Sequence, residues 1–118
     1  MRRSIRFVAT VCVGALLAAG CVAVPPPTAR VASSAAAIRA AQELQAKETP
    51  SAQLRLQYAE DEYASAQKLI AAGENERAER MLQRAEADAE LAVAIAKQVQ
   101  SEKTAIAAQA EVQSVNSK

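Results

Sequence analysis

Few side chains in this sequence are able to do covalent or acid–base chemistry. The chain has two cysteines, Cys12 and Cys21, no histidine, and a run of three carboxylates at Glu60, Asp61 and Glu62. A carboxylate run could hold a cation or supply a general acid and base. On a helix, however, consecutive residues diverge by about 100°, so these three do not converge on one point. A solvated face is the reading that remains. Nucleophile–base pairs and the usual metal sites need a His, a free thiol or converging carboxylates. The three glycines, Gly14, Gly20 and Gly73, are too scattered to form a phosphate-cradling loop. The expectation is a protein that is not an enzyme, with no catalytic residue, no metal site and no cofactor.

The thiols remain. Cys12 lies within an apolar run, Phe7 to Ala19, that follows the basic residues Arg2, Arg3 and Arg6. A basic start, an apolar stretch and small residues before a cleavage point make an export signal. The run falls well short of the roughly 20 residues a spanning helix needs. Residues 1–20 are therefore read as a signal peptide that is removed, taking Cys12 with it, so the two cysteines do not form a disulfide pair. The end of the segment, Leu17-Ala18-Ala19-Gly20-Cys21, resembles the lipobox of bacterial lipoproteins. It departs from the commonest form in having Ala18 where Leu usually stands. The resemblance implies that Cys21 becomes the mature N-terminus and carries a diacylglyceryl thioether, often with an N-acyl chain. Two or more acyl chains hold a membrane stably where one is marginal. In the enteric-type sorting rule an Asp after the lipidated Cys retains the protein at the inner membrane. Val22 stands there, which implies the outer membrane, facing the periplasm. Some small helical lipoproteins are joined to peptidoglycan through the ε-amine of a terminal lysine, and by that likeness Lys118 is a candidate attachment point.

The rest of the sequence must form the body that these groups anchor. Half of the chain is apolar, but much of that is alanine, and there are only three aromatic residues, Phe7, Tyr58 and Tyr63. Burying an alanine methyl contributes on the order of 0.8 kcal/mol against roughly 1.5–3 for Leu or Ile, so any core is thin. Ala, Glu, Gln, Lys, Arg and Leu at heptad-like spacing indicate long helices. The formal charge is +1 and turns slightly acidic once Arg2, Arg3 and Arg6 are removed. Charges of both signs alternate along the helices, which gives nucleic acid no basic surface to bind.

Residues 21–28 include Pro25, Pro26 and Pro27 and read as a stiff polyproline tether. A first helix is expected from Ala29 to Lys47, with Val31, Ala35, Ile38, Ala41, Leu44 and Gln45 on one side and a Glu43–Lys47 pair. Pro50 stops it, and Thr49-Pro50 starts the second helix. From there Ala52, Leu56, Ala59, Tyr63, Ala66 and Ile70 recur at steps of four and three, which lays them on one helical face. Gly73 suits the left-handed position after a helix, and Asn75 can cap the next one. The matching seam is Ala78, Leu82, Ala85, Ala89, Ala92, Ala96 and Val99. The expected fold is all-α: an antiparallel helical hairpin or three-helix bundle over residues 29–99, with a long C-terminal helix.

The pattern Leu54 to Leu56, Ala59, Ala66, Ala72-Gly73, Ala78, Leu82, Ala85 and Ala87-Asp88-Ala89-Glu90-Leu91-Ala92 resembles the short Ala-rich bacterial lipoprotein family catalogued as a domain of unknown function. The resemblance spans about Ala29 to Ala96. It departs at Ala46 to Pro50, where members often have Gly-Ala before Ala-Pro and this chain has Lys-Glu-Thr-Pro. It implies export, lipidation and a helical fold, and no particular activity. In some proteins such a domain precedes a peptidoglycan-binding domain.

A third helix from Glu76 to about Val112 would be roughly 55 Å long, against roughly 34 Å for the second. Residues 100–118 therefore overhang. The leading expectation is a frayed tail, because an isolated helical segment of that length is marginal in water. The alternatives are self-association with a second copy or docking on another periplasmic protein through Ile106 and Ala110, with Tyr58 as a further partner contact. The functional expectation is a structural or adaptor lipoprotein. Peptidoglycan tethering and an accessory role in an envelope assembly are the alternatives.

Overall fold

A computed structural model describes residues 24–117. Cys21, Lys118 and the signal segment lie outside the described residues. The order is α1 (Thr28–Glu43), a short 3₁₀ turn (Ala46–Glu48), α2 (Pro50–Ala71) and α3 (Asn75–Asn116). The chain is thus an all-α hairpin of α2 and α3, with α1 packed alongside and no strand among the described residues. α1 lies against α3 more extensively than against α2.

Alanine seams explain how the helices come together. Ala52, Leu56, Ala59 and Ala66 of α2 are buried, as are Ala78, Leu82, Ala85, Ala89, Ala92 and Ala96 of α3. α1 adds Ile38 and Ala41. Among these only Leu56 and Leu82 are large side chains with essentially no exposure, so the core is as thin as the composition implies. Tyr63, Ile70 and Val99, expected in the seam, are half-buried at its edge. Val31 and Ala35 are also half-buried, and Ser34 takes the buried place on α1. Its hydroxyl is satisfied by donating back to the Arg30 carbonyl at 2.7 Å, which lets a polar atom sit in the core without loss.

The Gly73 turn is a Schellman motif. Gly73 has φ +75° and its amide donates to the Ile70 carbonyl, while the Glu74 amide donates to that of Leu69. A Cβ added at Gly73 meets nothing within 4 Å, so Gly73→Ala carries only the cost of a left-handed backbone. The expected loss is about 1 kcal/mol with unchanged helicity, read from thermal unfolding followed by circular dichroism.

Two local expectations are corrected. α1 ends at Glu43 rather than Lys47, because the chain must reverse before Pro50 and does so with Gln45 in the left-handed region at φ 55°. Leu44 is consequently exposed, Gln45 leaves the helical face, and Lys47 sits in the 3₁₀ turn, so no helical Glu43–Lys47 spacing exists. Ala46, fully buried, fills the corner thus made. Asn75 is not the cap of α3: Glu74 holds that position without a side-chain hydrogen bond. Instead the Asn75 amide donates to the Val24 carbonyl and ties the tether to the Gly73 turn. Helix α3 continues through the overhang to Asn116.

Candidate functional site

The polar groups that cross between helices form two clusters. On the α1–α3 side Arg30 reaches two turns of α3 at once, with Nε 3.1 Å from Glu79 Oε1 and Nη1 2.9 Å from Glu86 Oε2. Ser33 donates to the same Glu86 oxygen. The carboxylates of Glu86 and Glu79 raise the guanidinium pKa further above its ordinary value, so its charge is permanent. The cluster fixes the register of α1 on α3 more than it stabilises, since ion pairs this exposed are screened by water.

On the α2–α3 side Arg55 Nη1 lies 3.1 Å from Asp88 Oδ1, and Arg84 Nε lies 3.1 Å from Glu62 Oε1. The Arg55 guanidinium also sits 6.0 Å from the centre of the Tyr58 ring, at the limit of a cation–π contact. Of the carboxylate run, Glu60 accepts from Gln42, Asp61 faces solvent and Glu62 turns inward. The three therefore diverge as the helical geometry requires. Glu62 Oε2 is buried with no hydrogen-bond partner. Desolvation raises the Glu62 pKa, Asp88 adds to that rise, and Arg84 opposes it. No group of three potential ligands able to hold a metal ion occurs among the described residues.

A raised carboxyl pKa means that folding favours the protonated acid. This stabilisation is complete below the ordinary glutamate value of 4.5 and is lost as pH rises through and beyond it. Glu62→Gln, which keeps the shape and removes the charge, is therefore expected to raise the unfolding temperature at pH 7 and to change it less at pH 4. The gain is below about 1 kcal/mol because the Arg84 pair is lost with the charge. Melting curves of both chains at the two pH values check it.

Tyr58, Ile106 and Ala110 are all exposed, but they do not form one site. Tyr58 lies on α2 beside Arg55, whereas Ile106 and Ala110 lie on the overhang. Beyond Val99 every described residue of α3 is exposed, including Ile106, Val112 and Val115. Where α1 stops and α3 continues, an open groove lies between Leu44 and Gln45 on one side and Gln100, Ser101, Thr104 and Ala108 on the other. The interhelical ion pairs and the Asn75–Val24 tie were not legible in the sequence, since nothing in a spacing pattern says which face of α1 meets which turn of α3.

The fold and its surface together define an all-α helical hairpin with a projecting helix. No family model, curated protein or solved structure matches the chain. The resemblance to the Ala-rich lipoprotein family thus stands on the residues quoted for it. No helix among the described residues is long and apolar enough to cross a membrane.

Proposed function

We propose that this chain is a non-enzymatic outer-membrane lipoprotein, anchored through acyl groups on Cys21 and acting as a structural or adaptor element in the periplasm. The observation that carries this reading is polarity. The Asn75 hydrogen bond holds Val24, three residues after Cys21, at the Gly73 end of the hairpin, and α3 carries its uncovered segment out from the opposite end. An anchor at one pole and a free helix at the other suit a rod that presents a contact surface away from the bilayer. The lipobox-like Leu17–Cys21 and the apolar run before it support the anchor.

The mass of the N-terminal peptide released from native membranes tests it. The expected result is a peptide beginning at Cys21 with a diacylglyceryl mass on sulfur. An unmodified Cys21, or a chain recovered wholly in the soluble fraction, overturns the reading.

A further inference from the structure

The overhang has two apolar sides, and the one that continues the seam is not the richer. Starting within the bundle, Leu91, Ala94, Gln98, Ser101, Ala105, Ala108, Val112 and Val115 recur at steps of three and four along α3. All are exposed, Leu91 at 41%, Val112 at 59% and Val115 at 67%. At about 100° per residue this stripe lies opposite the buried line of Ala85, Ala89, Ala92 and Ala96, so neither α1 nor α2 covers it. Ile106 and Ala110 fall on the other side of the helix from it. The continuation of the core line, by contrast, turns polar at Gln100 and Lys103.

We propose that this stripe pairs α3 antiparallel with α3 of a second copy of the same chain, about a two-fold axis level with Lys103. A second copy fits because the stripe complements itself in that register. Leu91 meets Val115 of the second copy, Ala94 meets Val112, Gln98 meets Ala108 and Ser101 meets Ala105, so the bulky apolar layers close the two ends of the contact and small or polar residues let the helices approach at its middle. The flanking charges agree: Lys97 comes beside Glu111 of the second copy, twice by symmetry, against a single like-charge approach of Glu102 to its own copy at the axis. Sliding the pair one heptad closer together sets Glu90 against Glu111, which selects the stated register. The two hairpin bodies then sit at opposite ends, each burying α3 only up to about Val99, and the α1 corner at Leu44 and Gln45 forms one wall of the open groove that the second helix enters beside Ser101, Ala105 and Ala108. Pairing also covers residues 100–116, a helix with no intramolecular neighbour and otherwise marginal in water. The inference supplies a partner for the scaffold reading without requiring the lipid.

Crosslinking of the full chain in its native membrane tests it. Thr104 flanks the stripe next to the axis, so Thr104→Cys is expected to give a dimer with a short bis-maleimide, counted above the unsubstituted chain, while Ile106→Cys is not. Lys97→Glu is expected to weaken the dimer roughly tenfold and Lys97→Glu/Glu111→Lys to restore it. A dimer trapped at Ile106 but not at Thr104, no dimer with either, or a yield unchanged by Lys97→Glu overturns the proposal. The N-terminal mass measured on the same membranes keeps the two questions apart: a Thr104 dimer with an unmodified Cys21 upholds the pairing while removing the anchor.

Discussion

Leu56→Ala and Leu82→Ala are each expected to destabilise the hairpin by about 3 kcal/mol, and the double substitution to leave it unfolded at room temperature. These two are the largest side chains with essentially no exposure, and the positions around them are mostly alanines. Leu56 belongs to a buried cluster with Ala52, Ala59, Ala89 and Ala92, whose small side chains cannot extend into the space a missing isopropyl group leaves. In a domain of this size about 3 kcal/mol corresponds to a drop of roughly 15 °C in melting temperature. Ile106→Ala, the loss of a similar side chain at a site 66% exposed, is expected to move the transition by only a degree or two. Thermal unfolding followed by circular dichroism compares them. Equal shifts at Leu82 and Ile106 would mean that the seam does not hold the helices together.

The opposite change probes the alanines. Ala89→Leu is expected to cost about 1–3 kcal/mol, because Ala89 is fully buried in a cluster that also holds Ile38 and Ala41 of α1 and Ala59 of α2. An added isopropyl group has no void to enter, so the helices must separate and forfeit dispersion contact along several turns. α1 is the weakest attached element, having only Ser34, Ile38 and Ala41 buried, and is expected to come away first. Faster hydrogen exchange in α1 amides than in α2 or α3 would report that. Ala107→Leu, on the exposed overhang, adds the same atoms and is expected to leave stability unchanged or slightly raised by helix propensity.

Much of this architecture is legible in one dimension because it depends on local rules. Steps of four and three place Ala52, Leu56, Ala59 and Ala66 on one face whatever they meet, and nearly all of the α3 seam is buried as spaced. Gly73 announces its turn because it is the residue best suited to a left-handed backbone there. Gln45 gives no such warning. It adopts the same conformation at the α1–α2 corner, where the chain reverses between the end of α1 and Pro50 and buries Ala46.

Spacing along the sequence determines the helices and their faces, since each follows from short-range geometry and from the transfer of side chains out of water. What the tertiary structure alone decided is how those helices are rotated and slid against one another. That choice gave Arg30 its two carboxylates, turned Glu62 inward while Asp61 stayed in water, and left Leu91, Val112 and Val115 on the side of α3 that nothing covers. The reason is physical: an alanine seam permits close approach at many registers, and only the sum of long-range contacts selects one.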